Sequence, residues 1–189
     1  MALASSEVRV AGTGEVYVAP VGTAAPSDLS TPLDEPWIGL GYSSEDGVTI
    51  ARSVESEGIS AWQSATPVRT IFTGMELTVT SQFLQSNKEI LPLFFGGSEF
   101  AETATDSGVF KMDISTVPAG VERAVCIEWR DGSYTHRLYI ARAEVSETDD
   151  VSLNRTSAVG WGMTFSALAP QSGPLATWLT DDPNFEPAA

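Results

Sequence analysis

The sequence predicts a mainly β protein, built as a β-sandwich or partial barrel with one short flanking α-helix. Apolar and polar residues alternate with a period of two in most of the patterned stretches, which is the spacing of a half-buried strand. Turn residues interrupt these stretches at short intervals, and the chain has 16 glycines and 11 prolines to supply them. Helical spacing is clear only in one short segment near residue 90. The patterns therefore favour sheets.

Length and charge limit the classes of function. The chain has 189 residues, 42% of them apolar, so a single core is sufficient. It carries 10 basic and 25 acidic residues, a net charge of −15, and acidic side chains oppose stable binding to phosphates. Passage of DNA along an acidic wall is compatible with this charge, and so is simple solubility. No apolar run approaches the length of a membrane span, so neither a span nor a signal peptide is expected.

The first third of the chain predicts short strands separated by loops. Residues 15–19 alternate around Val16 and Val18 and predict a strand that ends at Pro20. Residues 23–35 contain prolines and no apolar periodicity, which predicts a loop. Val48 and Ile50 indicate another strand inside a segment rich in Ser, Glu and Gly.

The clearest strand lies between Met75 and Leu84. Its alternation predicts a core face of Leu77, Val79, Ser81 and Phe83. The opposite face, predicted to be wet, consists of Glu76, Thr78, Thr80 and Gln82. This face suits either an ordinary exposed strand or a smooth, weakly interacting wall.

A short helix is predicted over residues 86–96. Ser86 and Glu89 have the spacing of a capping box, and Gly96 is placed to adopt the left-handed C-terminal cap. Apolar residues form a stripe between these ends. Pro92 is tolerated only near a first-turn boundary, so it predicts a helix that starts close to it or is distorted there.

A β-hairpin is predicted from Val121 to Ala143. The dipeptide Asp131-Gly132 separates two alternating runs and favours a two-residue turn flanked by Arg130 and Ser133. A final strand is expected over residues 159–168, where two glycines indicate a bulge or a close approach.

Residues 170–189 form a polar, proline-interrupted extension that holds three large apolar side chains, Trp178, Leu179 and Phe185. Such a segment cannot build a core alone. It is expected either to fold back on its own chain or to dock on a neighbouring copy.

Candidate chemistry is sparse, and no catalytic residue, metal site or cofactor is predicted. His136 is the one histidine and lies within a strand pattern, where a packed or solvated residue is a better interpretation than a general base. Cys126 has no partner for a disulfide. The acidic run at residues 144–150 is interpreted as a solvated loop, with loose cation binding left open.

Several motifs occur in the order found in one known family. They are Ala61-Trp62-Gln63, Pro67-Val68-Arg69, the alternating strand Glu76–Thr80, the helical segment Asn87–Gly96, the hairpin at Asp131-Gly132, the stretch Ala141–Val145 and the segment from Val151 to Leu168. Together they cover about residues 7–170. On these motifs the chain resembles the major tail tube protein of long-tailed, siphovirus-type bacteriophages, especially those of actinobacteria.

The resemblance implies a structural virion protein with no enzymatic activity. Six copies would close into a ring whose inner sheets join as a barrel, and rings would stack head to tail into a hollow tube for the genome. It implies an N-terminal arm at residues 1–14, a tail tube domain at 15–169 and a C-terminal extension at 170–189. The partners would be the protein itself and the tail tip, tape measure and tail terminator proteins, in a virion tail assembled in the host cytoplasm.

The resemblance also suggests which residues form the assembly surfaces. The segment 39–58 would be a loop that is disordered in the free subunit and contacts the adjoining ring, with candidate residues Tyr42, Glu45, Asp46, Arg52, Glu55 and Glu57. The lumen-facing candidates are Glu76, Thr78, Thr80, Gln82 and Glu128. The C-terminal docking candidates are Trp178, Leu179 and Phe185.

Other classes of function remain open at this stage. A receptor-binding or decoration module of a virion could have the same fold class and charge, and a type VI secretion tube subunit would share the architecture. A hydrolase is a remote option, because one histidine and one cysteine give few ways to build a nucleophile and its base.

Overall fold

The computed structural model describes residues 4–97, 99–117 and 120–186. The strands are β1 Thr13–Ala19, β2 Ile38–Gly39, β3 Ser43–Ile59, β4 Arg69–Phe83, β5 Ala101–Glu102, β6 Phe110–Lys111, β7 Glu122–Asp131, β8 Tyr134–Thr148, β9 Trp161–Ala167 and β10 Ala176–Thr180, and the helix α1 is Ile90–Phe95. Short 3₁₀ turns occupy Ser5–Glu7 and Pro183–Phe185. The prediction of a mainly β protein with one short helix is confirmed.

One antiparallel sheet contains all the strands except the small β5–β6 pair. The strand order is β2-β1-β7-β8-β9-β4-β3, and β10 also pairs with β8. The first and last strands of this order, β2 and β3, are consecutive in the chain. The connection between them bonds to both ends of the sheet, since Leu40 N donates to Val16 O and Leu84 N donates to Tyr42 O. The sheet therefore curls around one core as a partial barrel.

The core lies inside this curl and is closed at one place by α1. Its largest fully buried side chains come from different strands and include Val16, Val79, Phe83, Ile127, Ile140 and Phe165, with Leu40 and Ile90 beside them. The predicted core face of β4 is confirmed, because Val79, Ser81 and Phe83 are buried. Burial of apolar area of this kind is the main source of folding free energy.

The start of the helix differs from the predicted capping box. The Glu89 side chain makes no cap hydrogen bond. Instead Asn87 Oδ1 accepts bonds from the backbone N–H groups of Glu89 and Ile90, at 3.0 and 2.9 Å. Ser86 Oγ accepts a hydrogen bond from Trp161 Nε1 at 3.0 Å, which takes it out of the cap.

The end of the helix agrees with the prediction from the sequence. Gly96 has φ 58° and ψ 30°, the left-handed conformation predicted for it, and its N–H donates to the carbonyl of Pro92. Pro92 is the third residue of a six-residue helix, so its missing N–H falls in the first turn, where no bond is lost.

The β7–β8 hairpin is confirmed, but its turn is displaced by one residue. Asp131 pairs with Tyr134, so the two turn residues are Gly132 and Ser133. Gly132 has φ 60° while Ser133 does not have a positive φ, the pattern of a turn with glycine at its first central position. The displacement preserves the alternation, and the predicted faces of both strands therefore hold.

The segment 39–58 is not the loop that was expected. From Ser43 it belongs to β3, a strand of 17 residues that pairs with β4 as far as Ile59 and Arg69. Ladder hydrogen bonds satisfy the backbone, and this outweighs the Ser, Glu and Gly content that suggested disorder. Residues 44–47 form the one interruption of this strand near its start.

The predicted domain boundaries remain proposals. β1 begins two residues before position 15, and β10 brings part of the segment 170–189 into the sheet. Residues 1–3 of the predicted arm and 187–189 of the predicted extension lie outside the described residues.

The corrected helix cap gives a testable result. Replacing Asn87 by Ala removes an acceptor for two helix N–H groups, and we expect a loss of about 1 kcal/mol in the free energy of unfolding measured by urea denaturation. The control Glu89→Ala removes no cap bond and is expected to change stability by less than about 0.5 kcal/mol. Equal losses for the two variants would contradict this cap.

Candidate assembly surfaces

A long β-hairpin projects from the barrel. β9 pairs with β4 only from Thr78 to Phe83, so the preceding part of β4 is held by β3 alone. We call residues 52–77, the outer part of this hairpin with its turn, the hairpin arm. A two-stranded hairpin without a covering layer is marginally stable in water. The hairpin arm is therefore a candidate surface for contact with another molecule.

The hairpin arm exposes large apolar side chains. Trp62 is 98% exposed and Phe72 is 80% exposed, and Val54, Val68 and Met75 are also accessible. Val54 pairs with Met75, and Phe72 pairs with Ser56 two residues further along β3, so Val54, Met75 and Phe72 share one face. A contiguous apolar face of this kind marks a site of protein–protein contact.

On the face of the sheet that points away from the core, the side chains are mostly small and polar. Next to the core, strands β3, β4, β9 and β8 lie side by side, and every second residue points away from the core. We call this surface the polar wall; its residues are Thr49, Ala51, Ser53, Glu76, Thr78, Thr80, Gln82, Glu144, Ser146, Glu147, Thr164 and Ser166. None of these residues is basic, and Arg142, two residues before Glu144 on β8, is held in an ion pair with Glu122.

Hydrogen bonds between hydroxyl groups tie the polar wall together. Thr80 Oγ1 lies 2.9 Å from Thr164 Oγ1, and Ser146 Oγ lies 2.7 Å from Ser166 Oγ. These side chains satisfy one another across the strands. They present methyl groups and shared hydroxyls instead of free charges, so the wall offers a phosphate no cationic partner.

The lumen-facing candidates do not form one set. Glu76, Thr78, Thr80 and Gln82 all lie on the polar wall. Glu128 does not, because it lies on β7, which β8 and β9 separate from β4, and its side chain is only 12% exposed. Its carboxylate binds Arg137 Nε at 2.7 Å and Arg130 at 2.9 Å, so its assignment to an open lumen surface is wrong.

Arg137 explains why Glu128 is covered. This arginine is buried, and besides the ion pair it donates to the carbonyl oxygens of Asp28 and Thr31 at 2.8 and 2.9 Å. Tyr139 Oη donates to the carbonyl of Thr23 at 2.8 Å. The predicted loop at residues 23–35 is thus fastened over the outer face of β7 and β8.

The inter-ring candidates fall at two separate places. Tyr42, Glu45 and Asp46 are at the base of β3, beside the barrel. Arg52, Glu55 and Glu57 are exposed on the hairpin arm. The structure therefore separates the six residues into a basal group and an arm group.

The C-terminal extension folds back on its own chain. Strand β10 pairs with β8 from Ala176 opposite Ile140 to Thr180 opposite His136. Trp178 packs edge-on against Trp129, with ring centroids 4.7 Å apart, and Phe185 approaches His136 at 6.4 Å. Leu179 is half-buried opposite Arg137. In the single chain the docking partner of these residues is therefore β8.

An ion pair joins the two ends of the chain across the β7–β8 turn, and we call it the terminal clasp. Arg9 Nε donates to the buried carboxylate of Asp182 at 2.5 Å, and its guanidinium lies 4.7 Å from the centre of the Tyr134 ring. Asp182 also accepts the N–H of Asn184, and Asp181 accepts the N–H of Thr135. The hydrogen bond from Arg9 lowers the pKa of Asp182.

Residues with reactive side chains are packed away. His136 is 2% exposed, stacked on Trp129, and neither ring nitrogen has a hydrogen-bond partner. Burial raises the pKa of the Cys126 thiol to about 12, which keeps it protonated and a poor nucleophile.

Among the described residues no cluster of three or more His, Cys, Asp or Glu could hold a metal ion. The part of the chain described here contains no helix long and apolar enough to cross a membrane.

The sequence patterns did not reveal the contacts between residues that are far apart in the chain. Asp182 and Arg9 are 173 positions apart, and Arg137 holds a loop more than 100 positions away. The length of the hairpin arm could have been read from the alternation that continues on both sides of residues 60–68. The acidic and serine content of β3 concealed it.

The terminal clasp predicts an acid-dependent stability. The pKa of Asp182 is lower in the folded than in the unfolded chain, so its contribution is complete above about pH 4 and is lost as the pH falls through the folded value. Asp182→Asn should lower the unfolding midpoint in urea at pH 7 and have a smaller effect at pH 2. The control Asp150→Asn makes the same charge change at an exposed position away from the clasp and should leave the midpoint nearly unchanged. A larger effect of the control would contradict the clasp.

Comparison with known proteins identifies the family of the chain. A family model described as phage tail tube protein matches residues 1–189, the whole chain. No individual curated protein matches the sequence. The mainly β structure is consistent with the fold expected for this family. The chain therefore belongs to the phage tail tube protein family and is a structural protein of the virion tail.

Proposed function

We propose that copies of this protein close into hexameric rings that stack head to tail around a bore lined by the polar wall. The single observation that carries the proposal is the composition of that wall. Its twelve positions include three acidic residues, Glu76, Glu144 and Glu147, and no basic one. DNA affinity comes largely from basic side chains that release counterions from phosphates, so DNA slides past such a surface without being held.

Ring closure uses the edges that the single chain leaves unpaired. β3 is the last strand of the sheet, and its outer edge has no partner among the described residues. Exposed strand edges of this length promote association with another chain. A heterologous contact that closes after six copies satisfies the edge of each copy, and the sheets become one continuous barrel.

The role of the protein is mechanical, and the proposal includes no enzymatic step. The hairpin arm contacts the adjoining ring. The ends of the tube meet the tail tip and tail terminator proteins, and the tape measure protein is a further partner. Assembly takes place in the bacterial cytoplasm, as the resemblance to tubes of long-tailed phages implies.

Basic substitutions in the polar wall are expected to slow DNA. In Glu76→Lys/Gln82→Lys both changed side chains are exposed, so we expect folding and tube formation to be unaffected. Six copies per ring would then place lysines along the bore and bind phosphates. We expect virions with this variant tube to eject DNA more slowly than wild type, and to recover as the salt concentration rises.

A matched control separates lumen charge from total charge. Glu186→Lys/Gln171→Lys makes the same change of charge at exposed positions of the C-terminal extension. Its ejection rate should equal that of the wild type. The same rate for the wall variant and the control would refute the assignment of the polar wall to the bore.

The net charge of −15 per subunit predicts how assembly responds to salt. Repulsion between acidic subunits opposes association, and at 0.15 M ionic strength the screening length falls to about 8 Å. Raising the salt from about 20 to 150 mM should therefore speed assembly of purified protein, followed by light scattering and checked for tubes by electron microscopy. Assembly that is slowed by salt would show that attraction between charges dominates.

A further inference from the structure

A crevice of about 780 Å³ marks the place where the barrel is not closed. One side is the start of β1 with the residues before it, 11–15, and the other is the segment 41–50. β2 pairs with β1 only at Tyr17 and Val18, and Leu40 N reaches Val16 O, so the edge of β1 before Val16 has no strand partner among the described residues. Within the same part of the chain, the facing outer edge of β3 is unpaired as well. We call this crevice the seam.

The seam is apolar at its floor and acidic at its rim. Ile127 and Trp129 of β7 lie at the floor together with Val48, and Glu15 and Glu45 are the charged residues that line it. None of the described residues that line it is basic. An occupant that supplies apolar surface and a positive charge would therefore match this site.

The hairpin arm carries a tip of that chemistry. The segment 58–73 contains one charged residue, Arg69, although 19% of the whole chain is charged. Trp62 at the turn is almost fully exposed. Tryptophan and arginine are the residues most often found to dominate binding energy at protein interfaces, where charged residues are otherwise depleted.

The tip and the seam lie at opposite ends of the same strand. β3 starts at Ser43, which lines the seam, and ends at Ile59 beside the tip. Its eleven steps from Val48 to Ile59 span about 36 Å at the rise of a β-strand. The tip of a copy therefore lies far from the seam of that copy, and can enter only the seam of another.

We propose that the tip of the hairpin arm, with Trp62 and Arg69, inserts into the seam of a second copy of this chain. The proposal rests on the proposed function and identifies the receiving site for the contact between rings. A tip and a seam on different surfaces make a heterologous contact, which repeats along an axis instead of closing on a dimer.

Cross-linking tests the direction of this contact. The double variant Gln63→Cys/Ser44→Cys places one thiol on the tip and one at the seam, and the native Cys126 is buried and does not compete. A short bismaleimide added to assembled protein should give a ladder of covalent dimers, trimers and larger species. A 1:1 mixture of the two single variants should stop at dimers, since each copy has one reactive thiol.

The control variants decide between the outcomes. Each single variant alone should stay monomeric on a denaturing gel. Dimers from Gln63→Cys alone would show that tips meet tips, and an absence of ladders in tubes seen by microscopy would show that the arm docks elsewhere. Either result overturns the seam as the receiving site while leaving the tube intact. Wild-type protein that forms neither rings nor tubes would instead refute the proposed function and this inference with it.

Exchanging the charges of Arg69 and Glu45 tests whether these two residues meet in the assembly. Arg69→Glu and Glu45→Arg are each expected to slow stacking of rings about tenfold at low salt, because like charges then meet. Both are exposed residues, and the folded state should be unaffected by circular dichroism. The double variant Arg69→Glu/Glu45→Arg should recover most of the loss. No recovery, with rings still present, would contradict the pairing of tip and seam.

Discussion

The organisation of this protein depends on the length of two strands, β3 and β4, which are longer than the barrel of which they form part. β3 and β4 extend well beyond the last residue of β4 that β9 can reach, Thr78. Their outer parts satisfy backbone hydrogen bonds with each other but bury little apolar area. Each strand of such a hairpin is paired along one edge only, so the hairpin is incomplete both in its hydrogen bonding and in its hydrophobic contacts. We propose that association with copies of the same chain supplies what is missing.

The barrel itself is organised around β8, the strand that touches the most neighbours. β7 pairs along one edge, while β10 and then β9 follow one another along the other edge. The short segment 168–175 connects these two in-line strands. The terminal clasp then fixes β10 through Arg9, so that the edge of β8 is covered within the chain. Among the described strands of this sheet, unpaired edges remain on β3 and at the seam, and also on β2 and β10.

Much of this fold follows from local pattern, because strands and turns are set by residues close in sequence. The alternation in Met75–Leu84 predicted the buried face of β4, and Gly96 predicted the end of the helix. The wrong predictions share one cause: a residue binds a partner that is distant in the sequence or makes a contact that another residue was predicted to make. Asn87 replaced Ser86 as the cap because Ser86 binds Trp161, and the turn at Gly132 moved by one residue without changing the faces. Glu128 was misplaced because its partner Arg137 is anchored to a distant loop, which no local pattern reveals.

The central claim is that the hairpin arm is uncovered in the free subunit and covered by another copy in the tube. Backbone hydrogen exchange, measured by mass spectrometry on dispersed subunits and on assembled tubes, tests this most directly. The account predicts that residues 52–77 exchange rapidly in the subunit and become at least tenfold slower in the tube, whereas the buried strands β7 and β8 change little. Equal exchange of residues 52–77 in the two states would contradict it.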